Sequence, residues 1–295
     1  MDAEKQQVIS FLNMKGGVSK TTLCKELGMF LAYKKNKNIL FVDIDPQANL
    51  TQSLFSKYGY KQVDVITEEE NFNFKITDVS IEKMIIKGRI REIEKDKVIL
   101  NLNKGISIIP GTLGIDFITR NTNSSELENS LSNFIDKAKL KEEYDYIFID
   151  CPPTYSSYTT LALKASDSYI IPVRPEAYSI LGIKMLLDIV EYIKDVHHDS
   201  FKKPLKNLGI VLTNINKTQS PGVKNLIQQI EDSEVIKKWN VEIFDTYFEH
   251  NSHIPKDISY DIASSNSEKS LQNLEILADE FLNKVEGGEY ANIKG

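Results

Sequence analysis

The chain has only two cysteines and one tryptophan among its 295 residues. Cys24 and Cys151 stand far apart and lack zinc-knuckle spacing, so a disulfide-stapled scaffold and a structural zinc site are both excluded; small core residues is the reading that remains. Apolar runs are short. None approaches the roughly 18 residues needed to cross a bilayer as a helix. Positive charge is in deficit, with 36 Lys and Arg against 42 Asp and Glu, a formal charge of −6. The field of the whole molecule therefore does not favour nucleic acid, and any such contact needs a local basic face. The start, Met1-Asp2-Ala3-Glu4-Lys5, runs directly into an apolar stretch and lacks the pattern of a secretory leader. Together these absences predict a soluble, cytoplasmic protein without a membrane partner.

What is present is a substantial apolar complement, 41% of residues, enough for one sizeable core in a single domain over 1–295. Uninterrupted apolar runs recur at Val8–Leu12, Ile39–Val42, Ile106–Ile109, Tyr146–Ile149, Tyr169–Val173 and Leu208–Leu212. Such runs suit strands buried on both faces. Helical patterns lie between them, clearest at 178–196 and about 269–285, which predicts an α/β fold: a mostly parallel twisted sheet covered by helices on both faces. The span 58–104, with Glu68-Glu69-Glu70 and a mixed-charge stretch from Lys87 to Lys97, is irregular and reads as an insertion on the core. From about residue 286 the glycine-containing tail is expected to fray.

The segment Met14-Lys15-Gly16-Gly17-Val18-Ser19-Lys20-Thr21-Thr22 carries the chemistry. It follows the first apolar run and precedes Leu23, Leu27, Phe30 and Leu31 at helical spacing, so it is a strand-turn-helix junction. Backbone N–H groups of a tight loop entering a helix surround a polyphosphate without bulk, and Gly16 and Gly17 permit that approach. Lys20 then faces the β- and γ-phosphate oxygens, Thr21 offers a hydroxyl to Mg²⁺, and Thr22 reaches the α-phosphate. The usual spacing of a phosphate loop requires glycine where Met14 and Ser19 stand. A serine at position 19 must either avoid positive φ or bear a cost of about 1 kcal/mol.

Carboxylates close two apolar strands: Asp43 and Asp45 in Phe41-Val42-Asp43-Ile44-Asp45-Pro46-Gln47, and Asp150 in Tyr146-Ile147-Phe148-Ile149-Asp150-Cys151-Pro152-Pro153. In an open parallel sheet these ends gather at one crevice, beside the phosphate loop. Asp150 has Walker B character and is expected to hold Mg²⁺ through water. Each carboxylate taken alone also suits a helix cap or a loop.

The deviant Walker A pattern Lys-Gly-Gly-x-x-Lys-Thr resembles that of the ParA/MinD-type ATPases, strongly over 8–55 and 144–182. That resemblance implies ATP and Mg²⁺ as ligands and a homodimer in which the front lysine, Lys15, crosses to the nucleotide of the other subunit. It implies that Asp45 positions the attacking water, with Asp43 supporting the metal shell or the loop. An aspartate of ordinary pKa is a feeble base, so Asp45 would act by orientation and electrostatics. Thr213-Asn214 falls where the family often recognises adenine; an asparagine there equally caps a turn. Ile171-Pro172-Val173-Arg174-Pro175-Glu176 resembles the family's turn after Walker B, except that Arg174 replaces a common glutamine.

Within that family the chain resembles the small ParA/Soj-like partition proteins. Its start leaves no room for a preceding helix-turn-helix domain, and its tail lacks the basic amphipathic helix of MinD. The cysteines are misplaced for a nitrogenase-type bridging cluster. The implied cycle is ATP-driven dimerisation, nonspecific binding of double-stranded DNA on the nucleoid, and hydrolysis stimulated by a small centromere-binding, ParB-like protein. The region 248–256 holds one lysine, so a DNA face would draw on Lys202, Lys203, Lys206, Lys224, Lys237 and Lys256. The alternatives are a MinD-like positioning ATPase on membrane and an ATP-gated dimeric module with little turnover.

Overall fold

The computed structural model describes residues 6–63, 74–85, 94–113, 123–201 and 203–287. Glu68-Glu69-Glu70, Lys87-Arg89-Arg91, Lys202 and the tail beyond Gly287 lie outside the described residues.

The strands are β1 (Gln7–Phe11), β2 (Ile39–Asp43), β3 (Tyr60–Gln62), β4 (Lys75–Thr77), β5 (Leu100–Asn103), β6 (Ile106–Ile109), β7 (Tyr146–Asp150), β8 (Ser168–Val173), β9 (Lys206–Ile215) and β10 (Phe248–Glu249). Eight of them form one sheet in the order β10-β9-β8-β1-β7-β2-β6-β5, and β3 and β4 pair separately. Within the main sheet only the edge pair of β5 with β6 is antiparallel. The fold is the mostly parallel α/β sheet that the buried strand runs predict.

The central strands alternate their side chains between two cores. Val8, Leu40, Val42, Ile147 and Ile149 point to one face, where they meet helices α3 (Ser124–Lys137), α4 (Ser157–Ala165) and α5 (Ser179–Val196). Ile9, Phe11, Ile39, Phe41 and Phe148 point to the other, against α1 (Lys20–Lys35), α2 (Asn49–Tyr58) and the last described helix, α8 (Glu268–Glu286). Between α5 and α8 lie α6 (Pro221–Glu231) and α7 (Glu234–Trp239). In α1 a Cβ on Gly28 would stand 2.4 Å from the Phe41 ring, so glycine is what lets the helix approach β2.

In the 58–104 span, β3 and β4 make a short parallel ribbon and β5 adds the outer edge strand to the main sheet. Parallel pairing puts the carboxyl ends of β1, β2, β7 and β8 on one side of the sheet. The register is tight there: Asp150 is paired with Phe11 on one neighbour and with Asp43 on the other.

Candidate functional site

The loop between β1 and α1 is pinned from below. Asn13 donates through Nδ2 to the Pro172 carbonyl at 2.7 Å and accepts the Lys15 amide at 3.0 Å. The Thr213 hydroxyl donates to the Val18 carbonyl at 3.0 Å, tying the loop to the end of β9. Gly17 has φ +73°, and Ser19 has φ 64° and ψ 30°. Of the two ways open to serine at position 19, the chain takes the strained one, since the left-handed conformation costs a side-chain-bearing residue about 1 kcal/mol. A Cβ on Gly16 or Gly17 would meet nothing of this chain within 4 Å.

The loop walls a cavity of about 460 Å³, lined among others by Gly16, Gly17, Val18, Ser19, Lys20, Thr21, Thr22 and Asp45. Sequence reasoning missed five further lining residues, Lys25, Asn49, Ser53, Ile254 and Ile258. Lys25 was hidden one turn further along α1. The two isoleucines come from a loop distant in sequence, held against α1 and α2 by Lys25 Nζ to the Tyr260 carbonyl at 2.6 Å and Ser53 Oγ to the Ile258 carbonyl at 2.6 Å.

The two lysines of the loop part company. Lys20 is buried, and its Nζ donates to the Lys15 carbonyl at 3.1 Å. Burial lowers its pKa, while the neighbouring carboxyl groups of Asp150 and Asp45 act in the opposite direction. Lys15 is absent from the cavity wall; its Nζ lies 2.6 Å from Glu176 Oε2. That hydrogen bond is the main reason the Glu176 carboxyl sits below its ordinary range. Glu176 lies within the turn already singled out after β8, but its partnership with Lys15 spans 161 positions and is invisible in sequence.

The three aspartates have different surroundings. Asp43 is fully buried and saturated with donors: Thr51 N at 2.8 Å, Thr51 Oγ1 at 2.7 Å and Asp45 N at 3.3 Å. Because Thr51 Oγ1 also accepts the Gly111 amide at 2.8 Å, Asp43 holds α2 and the segment after β6 together. Asp45 accepts the Gln47 amide at 2.9 Å and faces the cavity. Asp150 is also fully buried, yet neither of its oxygens has a hydrogen-bond partner. Burial and the neighbouring Asp43 charge push its pKa well up, and the Thr21 hydroxyl, Asp45 and Lys20 are the other groups around it. Asp43 is pushed up to about 7, chiefly by burial. Two buried carboxylates on adjacent strands resist ionising together.

Two unpartnered carboxylate oxygens beside a threonine hydroxyl, under a phosphate-shaped loop, suit a hydrated divalent cation. Among the described residues no group of three His, Cys, Asp or Glu is arranged to hold a metal alone. A cation here would complete its shell with phosphate and water oxygens, as Mg²⁺ commonly does.

Asn214 does not line this cavity. It takes φ 59° near the end of β9, and with its amide turned so that both groups are paired, Nδ2 donates to His250 Nδ1 at 2.6 Å while Oδ1 accepts from Arg174 Nη2 at 3.2 Å and Nε at 3.1 Å.

Residues 6–203 match the AAA_31 family, an AAA domain. The sporulation initiation inhibitor protein Soj of Bacillus subtilis is 32% identical over 275 residues, covering 89% of this chain and 94% of Soj. The chain belongs to the ParA/Soj family. Chromosome partitioning protein ParA of Myxococcus xanthus is 27% identical over 90% of this chain and 85% of its own length. Among solved structures, an ATP complex of a variant McdA from Cyanothece superposes with TM-score 0.70 at 18% identity, covering 97% of this chain and 98% of McdA. At that identity the likeness speaks for the fold. Membership in the ParA/Soj family makes the chain a partition-type P-loop ATPase. No helix among the described residues is long and apolar enough to cross a membrane.

Proposed function

We propose that this ParA/Soj-family chain is a DNA-partition switch that binds ATP with Mg²⁺, dimerises around two nucleotides, and resets by partner-stimulated hydrolysis. The observation that carries the dimer is the separation of the two loop lysines. Lys20 faces the cavity, whereas Lys15 points away from it and lies at the loop's outer rim on Glu176. A lysine so placed is free to serve the nucleotide of a facing subunit once it leaves Glu176.

In this reading Lys20 and the amides from Gly16 to Thr22 neutralise the phosphates, and Thr21 and Asp150 hold the cation. Mg²⁺, when bound, withdraws charge from the β- and γ-phosphate oxygens. Asp45 orients the attacking water from the cavity wall. Asp43 does not need to touch the metal, because its oxygens already accept from Thr51 and Asp45; its part is to hold the switch segment that carries Asp45. Asn214 is the base-reading group, which must exchange Arg174 or His250 for the adenine edge.

DNA contact is nonspecific and local, given the net charge of −6. Within the candidate stripe Lys206 already donates to the Lys284 carbonyl at 2.8 Å and Lys237 lies 3.6 Å from Glu234, so neither is a bare cation. A ParB-like protein is the partner that stimulates turnover, and the nucleoid is the location. Retention on random-sequence duplex DNA with ATP at low salt, falling steeply as salt rises, is the expected result. Absence of retention, with retention instead on anionic vesicles, would move the protein to a membrane-positioning role.

A further inference from the structure

Glu176 is held by two cations at once. Its Oε2 is 2.6 Å from Lys15 Nζ, and its Oε1 is 2.8 Å from Arg174 Nε. The backbone that carries it is fixed: the Glu176 amide donates to Ser179 Oγ at 3.0 Å, and that hydroxyl donates to the Arg174 carbonyl at 2.7 Å, closing the turn that opens α5. Arg174 is in turn shared, because its Nη2 and Nε also reach Asn214 Oδ1. Lys15, Glu176, Arg174, Asn214 and His250 thus form one polar chain from the rim of the phosphate loop to the end of β9.

We propose that Arg174 is a positioning residue that sets how readily Lys15 leaves its own subunit; this rests on the reading that Lys15 acts across a dimer. With Arg174 present, Glu176 stays neutralised after Lys15 departs, and Arg174 competes for the carboxylate while Lys15 is still there. A neutral side chain at position 174 would leave Lys15 as the sole cation on Glu176 and hold it more firmly. Asn214 feeds the same balance. When a base edge takes its carbonyl oxygen, the planar fork of Arg174 is released to turn both donors onto Glu176, a geometry that guanidinium favours and ammonium cannot match. Occupancy at the base end then loosens the lysine at the phosphate end.

The test is the protein concentration for half-dimerisation with a non-hydrolysable ATP analogue, measured by sedimentation. Arg174→Gln should raise it about fivefold, which corresponds to ~1 kcal/mol spread over two exposed ion pairs. Arg174→Lys should fall between, since the charge returns without the fork. Glu176→Gln should lower the concentration, and Arg174→Gln in that background should change nothing further. An Arg174→Gln protein that dimerises at the wild-type concentration, or one whose defect persists with Glu176→Gln, overturns the proposal. A wild-type chain that stays monomeric with nucleotide overturns the dimer reading itself, and this inference with it.

Discussion

Replacing Asp150 with asparagine is expected to stabilise the nucleotide-free protein while destroying its hydrolysis. In the native chain Asp43 and Asp150 are paired across β2 and β7, both fully buried, and the Thr21 hydroxyl is the one donor that stands beside Asp150. Asp43 is raised from 3.8 to about 7, and Asp150 is raised as well, so the native pair retains a proton that the unfolded chain has already released above about pH 4. The folded state then binds more protons than the unfolded one, and stability falls as pH rises from about 4 to about 7, by up to ~1.4 kcal/mol per pH unit for one proton. Between pH 5.5 and 7 that amounts to ~2 kcal/mol, which at this chain length shifts the melting temperature by roughly 4 °C. Asp150→Asn removes the carboxylate that the Asp43 charge and burial together push well up, while Asp43 stays raised by its own burial. Thermal melts without nucleotide at pH 5.5 and 7.5 should show wild type losing more stability with pH than the variant, the variant melting higher at pH 7.5. Adding ATP and Mg²⁺ should stabilise wild type and do little for the variant, reversing the order. A wild-type melting temperature independent of pH, together with a variant no more stable at pH 7.5, would refute the account of a frustrated carboxylate pair.

Asp43→Asn should act in the opposite sense to Asp150→Asn, losing about 1–3 kcal/mol of stability because an amide donor would face Thr51 N and Oγ1, readable in urea unfolding. Lys20→Ala is expected to abolish binding of a fluorescent ATP analogue, since it removes the one lysine side chain from the loop that faces the cavity; retained binding would count against that role. Asp45→Ala should bind ATP normally and accumulate as a dimer with little phosphate release, and undiminished turnover would remove Asp45 from the reaction. Ser19→Gly relieves the left-handed strain and should raise stability by a few tenths to ~1 kcal/mol, the gain reduced by glycine's larger unfolded-state entropy. A loss of stability would show that the serine side chain makes a compensating contribution.

The sequence by itself determined the architecture and the identity of the phosphate loop, because both are local. Strands such as Tyr146–Asp150 are apolar up to their last residue and announce burial on both faces, and the loop's chemistry lies within nine consecutive residues, Met14 to Thr22. The carboxylates at the ends of β2 and β7 were legible for the same reason, since parallel strands bring their carboxyl ends to one edge. What each carboxylate does there was not legible. Asp43 and Asp150 end similar strands, yet one accepts three hydrogen bonds and the other has only the Thr21 hydroxyl beside it, a difference set by Thr51 on a helix eight positions on. Tertiary structure alone decided that Ser19 adopts positive φ, that Ile254 and Ile258 come to wall the cavity, and that Lys15 rests on Glu176 beside Arg174. Each of these depends on contacts that close only when distant segments pack. Local pattern carries no record of which side chain, more than a hundred residues away, will arrive opposite a given charge.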